Sequence, residues 1–147
     1  MRRVLVPVVL LFASLAVASA GARHEPVLNN GDVLPAIAES PAKAGARQNP
    51  YEGQADAITA GKKLFRQHCA ECHGDDGHGI GHAEDLHGPG VQNATPGQLQ
   101  WLLWNGNLGA GMPSWSGIPE QRRWQIVAYI KSFNNTPPAT PPAKANP

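Results

Sequence analysis

The chain has 147 residues, 41% of them hydrophobic, and a formal net charge of +1. That length allows one domain with extra ends, and 16 glycines with 14 prolines place loops and tails around a small compact centre. The near-neutral charge offers no basic stripe, so nucleic acid is not expected as a partner.

The chain opens with Arg2 and Arg3, an apolar run from Val4 to Val17, and the small residues Ala18-Ser19-Ala20. This is the pattern of a secretory signal peptide over residues 1–20. The apolar run falls short of the ~20 residues of a spanning helix, so cleavage is expected rather than a membrane anchor. No cysteine follows the run, which excludes a lipoprotein anchor. Cleavage removes two arginines and no acid from the +1 total and leaves −1. Residues 21–50 show little periodicity and are punctuated by Pro26, Pro35, Pro41 and Pro50. They read as a flexible leader.

The folded part is expected over residues 51–135. Ala55 to Cys69 has the helical pattern, with Ile58, Gly61, Phe65 and His68 recurring at three and four residues. A glycine inside a helix costs about 1 kcal/mol against alanine, so Gly61 suggests a second backbone passing close by.

Cys69-Ala70-Glu71-Cys72-His73 follows, and it holds both cysteines of the chain. Cys-x-x-Cys-His is the attachment pattern for c-type haem. On a helix, residues three apart share a face, so both thiols can reach one porphyrin while His73 lies under the ring as an axial ligand. Three other readings use the same residues: a disulfide, a thiol redox motif, and a zinc site completed by His78 and His82. A disulfide over so short a loop stabilises little and leaves His73 without a role. The gap between the cysteine and histidine pairs is short for a zinc finger.

The stretch from Gly74 to Val91 is a glycine-rich loop, and its His78, His82 and His87 are expected to be solvated. A further helix begins at Thr95 as cap with Pro96 in its first turn and ends near Asn105-Gly106. Leu99, Leu102 and Leu103 share one of its faces, with Trp101 and Trp104 alongside. These aromatic residues are either plain core or walls of a haem pocket. Met112 is the only methionine beyond Met1 and sits in Gly109-Ala110-Gly111-Met112-Pro113, too rich in glycine and proline for helix. A lone methionine is commonly core filler. The last helix runs from about Pro119 to Phe133, with Ile126, Tyr129, Ile130 and Phe133 as its apolar stripe. Residues 136–147 form an extended, proline-rich, disordered tail.

Residues 51–135 resemble the class I, mono-haem cytochromes c of the small exported bacterial kind. The resemblance rests on Gly61…Phe65…Cys69-x-x-Cys72-His73, on Gly111-Met112-Pro113-Ser114-Trp115, and on Trp124…Tyr129-Ile130. It implies an all-α cytochrome c fold, three to four short helices around one covalently bound haem c, with the N- and C-terminal helices packed together. It places Gly61 and Phe65 against Tyr129. It implies thioether links at Cys69 and Cys72, axial ligation by His73 and Met112, and a proline carbonyl, best matched by Pro89, accepting from His73. Trp101 and Trp115 are expected beside the haem.

The implied function is single-electron transfer, not enzymatic catalysis. Partners would be periplasmic redox proteins, a dehydrogenase as donor and an oxidase or another cytochrome as acceptor, meeting a monomer in transient contact near Met112 and Trp115. A dedicated cytochrome subunit of a periplasmic dehydrogenase or oxidase is the second reading. An enzyme or haem sensor, in which Met112 leaves the iron and a small ligand binds, is the third.

Overall fold

The computed structural model describes residues 33–135. The signal pattern, the first part of the leader and the proline-rich tail lie outside the described residues. Seven α-helices run in chain order: α1 (Pro35–Ala38), α2 (Ala42–Gly45), α3 (Ala55–His68), α4 (Ala70–His73), α5 (Pro89–Gln92), α6 (Pro96–Asn105) and α7 (Glu120–Lys131). Short 3-10 turns follow at Leu108–Ala110 and Ser132–Asn135. There is no β-strand among the described residues, so the all-α expectation holds. Three helices are of ordinary length, and the other four are single turns.

The core forms where α3 crosses α7. Ala57, Gly61 and Phe65 recur every four residues on α3 and are its buried face. A Cβ on Gly61 would stand 2.0 Å from the Gln125 carbonyl oxygen of α7 and 3.1 Å from the Tyr129 Cβ. Only a hydrogen at this position lets the two backbones approach. The Phe65 ring then meets Tyr129 edge-on with centroids 5.3 Å apart, a favoured aromatic geometry. This is the pairing the resemblance implied. α7 is buried at Trp124, Ile126, Val127, Tyr129 and Ile130, which exceeds a single stripe because α6 packs on it as well.

α6 starts as its sequence predicts. Thr95 Oγ1 accepts from the Gln98 amide at 3.2 Å, and the Thr95 amide donates to Gln98 Oε1 at 2.8 Å, a complete capping box. Gly106, at φ +73°, ends the helix.

Residues 33–50 differ from the flexible leader expected of them. α1 and α2 both pack on α6, and Ile37 has 0% exposure. The Thr95 hydroxyl donates to the Gly45 carbonyl at 2.7 Å, Asn49 Nδ2 donates to the Trp124 carbonyl at 2.9 Å, and the Leu34 amide donates to the Gly90 carbonyl at 3.0 Å. Arg47 pairs with Glu120 and lies over the Trp124 ring at 5.1 Å. A Cβ on Gly97 would stand 2.2 Å from the Ala44 carbonyl oxygen, so α2 rests directly on the first turn of α6. Prolines suggested looseness here, but Pro35 occupies the first turn of α1 and Pro41 the cap of α2, where a proline costs nothing.

Candidate haem site

α3 ends at His68, and Cys69 closes it with its amide on the Phe65 carbonyl at 2.7 Å. The chain then re-enters helix for one turn. The Cys72 and His73 amides both donate to the Cys69 carbonyl, at 3.2 and 2.9 Å. This turn puts the two thiols three residues apart on one side and the His73 imidazole directly after them, the arrangement expected from spacing. Cys69 is buried at 9% exposure in the core cluster, whereas Cys72 is exposed. Burial, and then the neighbouring Cys72, push the Cys69 thiol up to about 12. Burial in this apolar setting disfavours the free thiolate that a redox motif needs.

His73 Nδ1 lies 3.0 Å from the carbonyl oxygen of Glu84. A carbonyl can only accept, so Nδ1 carries the proton and Nε2 keeps its lone pair for a metal. The acceptor expected for His73 was Pro89. Pro89 instead opens α5, and its carbonyl receives the Asn93 amide at 2.9 Å. The loop reaches His73 earlier because it folds back at once: the Gly79 amide donates to the His73 carbonyl and the Ile80 amide to the Cys72 carbonyl, each at 2.8 Å. No side-chain signal could have marked Glu84, since the group used is backbone.

Met112 sits in a small clasp. The Asn107 amide donates to the Met112 carbonyl at 2.8 Å, and the Met112 amide returns to the Asn107 carbonyl at 3.0 Å. Between them Leu108–Ala110 makes its turn, and Gly111 closes it in the left-handed region at φ +81°. The residues after Met112 are tied to the end of α6. Ser114 Oγ donates to the Trp104 carbonyl at 2.6 Å, and the Trp115 amide donates to the Leu103 carbonyl at 2.8 Å. Met112 is partly buried and packs on the core cluster that contains Cys69. The Trp115 ring lies 5.6 Å from His68, the neighbour of Cys69. The methionine loop and the cysteine–histidine turn therefore belong to one apolar cluster.

Trp101 is placed elsewhere. With Arg47, Gln100, Trp104, Glu120 and Arg123 it lines a cleft of about 310 Å³ between α6 and the start of α7. Leu102 joins Met112 and Trp115 as a partly buried neighbour of the core. Sequence spacing had put Leu102 on the face of Leu99 and Leu103, which was the available signal for it. Arg123, at 3% exposure, donates to Gln100 Oε1 at 3.1 Å and lies over the Trp104 ring at 4.6 Å. Desolvation lowers its pKa, and Glu120 opposes that shift.

The donor set fits a c-type haem: two thiols on one helical turn, an imidazole oriented by a carbonyl, and a thioether in a constrained loop on the same apolar cluster. The zinc alternative fits less well. His78 faces Asp85 and stacks on His87, and the cluster these three residues form includes neither cysteine nor His82. The Asp85 carboxylate is held below its usual range, first by the His87 backbone amide and then by His78.

Residues 56–130 match the family model described as cytochrome c oxidase, cbb3-type, subunit III. A similar solved structure is cytochrome cL from the marine methylotrophic bacterium Methylophaga aminisulfidivorans MPT, at 26% identity and a TM-score of 0.51. That likeness covers 58% of this chain and 58% of the other. No curated protein matches. With the family match spanning half of the chain on an all-α fold around Cys69-x-x-Cys72-His73, the chain belongs to the cytochrome c family, whose domain carries covalently bound haem c for electron transfer.

Proposed function

We propose that this chain is an exported single-electron carrier with one haem c, joined through Cys69 and Cys72 and ligated by His73 and Met112. The observation that supports this most is the His73 imidazole, whose Nδ1 is committed to the Glu84 carbonyl at 3.0 Å directly after two thiols on one helical turn. Bound haem supplies a one-electron iron couple; the chain sets its potential, orientation and access. His73 is held in the tautomer that presents Nε2, and its Nδ1 hydrogen bond raises its basicity as a ligand. Met112 offers a thioether, a ligand that favours the reduced metal and raises the potential. The clasp at Asn107 holds the Met112 backbone, and an iron held by both His73 and Met112 would have no position left for oxygen or peroxide. Trp115 and Leu102 keep the cluster apolar.

The location we propose is the periplasm, in keeping with the signal pattern of residues 1–20. Among the described residues no helix is long and apolar enough to cross a membrane. Periplasmic redox proteins would meet the domain transiently as donor and acceptor. A second reading, a dedicated subunit of a larger redox complex, draws on the oxidase-subunit description of the matching family. Trp104 and Leu108 are strongly exposed beside the methionine loop and suit an apolar contact in either case.

The test is expression in a host that matures c-type haem, followed by mass measurement of the denatured protein. One haem mass retained per chain, lost in the Cys69→Ala/Cys72→Ala double variant, is expected. A chain that carries no covalent haem under those conditions contradicts the proposal.

A further inference from the structure

Among the described residues outside the cysteine–histidine turn, one other cluster brings metal-binding side chains together. The nearest ligand atoms of His78, Asp85 and His87 all lie within 4.8 Å of one another. We infer that these three residues form a second metal site, for a single divalent ion of the zinc type. This inference does not depend on the haem reading.

Several features of the cluster are those of a built ligand set. His78 Nδ1 lies 3.3 Å from Asp85 Oδ2. His87 Nε2 lies 2.8 Å from the Asp76 carbonyl oxygen, which can only accept. Nε2 therefore carries the proton, and Nδ1 of His87 keeps a lone pair. A backbone acceptor on the far nitrogen is the usual outer partner of a metal-bound histidine. Asp85 is oriented likewise: its Oδ1 accepts the His87 amide at 2.9 Å, which leaves Oδ2 for the metal.

The His87 ring is also fixed in place. It stacks on Phe133 with centroids 4.3 Å apart and planes 7° from parallel. A Cβ on Gly77 would come within 2.7 Å of the Phe133 ring, so the loop lies tightly against the 3-10 turn that follows α7. His78 stacks on His87 from the other side at 4.1 Å. A metal lies in the plane of each imidazole that binds it, so binding must swing His78 out of this stack. The His78 side chain is 58% exposed and can turn without disturbing the core. Two imidazoles and a carboxylate, with water in the fourth position, suit zinc or copper(II) rather than calcium or magnesium. The ion would brace the segment whose Glu84 carbonyl holds His73.

The test is calorimetric titration of zinc ions into the mature protein, as purified from a host that matures c-type haem, at near-neutral pH in a non-chelating buffer. One ion per chain is expected. His78→Ala and Asp85→Asn each weaken binding by about tenfold or more, and His82→Ala leaves it unchanged. Circular dichroism serves as the folding control, and His87→Ala, which also removes the Phe133 stack, should weaken binding likewise. No saturable binding, binding that survives both His78→Ala and Asp85→Asn, or binding lost in His82→Ala overturns the proposal.

Discussion

Gly61 shows how far a single residue was legible. A helical glycine predicted a close backbone, and the Gln125 carbonyl is that backbone. Gly61→Ala should cost about 2 kcal/mol or more, read by chemical denaturation, because backbone atoms of α7 cannot step aside as a side-chain tip would. His73 marks the opposite limit. The ligand role we propose for it follows from its place after Cys72, but its orienting partner is a backbone oxygen, which any residue type supplies, so Pro89 was expected where Glu84 is found. Glu120 carries a prediction about pH. Its carboxyl is held below the usual carboxylate range, chiefly by Arg47 and then by the Trp124 ring NH. A depressed carboxylate adds stability at pH values above its unfolded pKa and loses that contribution as pH falls through its folded pKa. The pair is half exposed, so the contribution is about 0.5 kcal/mol. Glu120→Gln should lower stability by that amount at neutral pH and match the parent under strongly acidic conditions.

Among the elements, periodicity revealed what was long enough to show it. α3, α6 and α7 have ten or more residues each, and their apolar spacing, caps and terminal glycine lie close to where the sequence put them. α1 and α2 are four residues each and too short for a period to appear. Their order comes from tertiary contacts: Ile37 in the core, Thr95 on Gly45, and Asn49 on Trp124. Ile37→Ala measures whether this segment belongs to the fold. A fully buried isoleucine should cost about 2–4 kcal/mol in unfolding free energy, whereas a flexible leader would cost nothing. Trp101 meets the same limit. Helical spacing locates a residue on a face, but which neighbour covers that face is decided by Arg47 and Arg123, both distant in sequence.

At the scale of the whole molecule, all-α packing and haem attachment were legible because Cys-x-x-Cys-His encodes its chemistry locally. The methionine loop was legible only through family resemblance, and the fold supports that reading by seating Met112 on the cluster that holds Cys69. The most direct measurement is the optical spectrum of the haem-loaded protein, oxidised and reduced, beside that of Met112→Ala. Our account predicts a weak long-wavelength sulfur-to-iron band in the oxidised parent. Met112→Ala should lose that band and fall in potential, with the covalent haem retained. A parent spectrum lacking the band, or a Met112→Ala variant that keeps it, would contradict His73/Met112 ligation and leave the sixth position to another residue or to an external ligand.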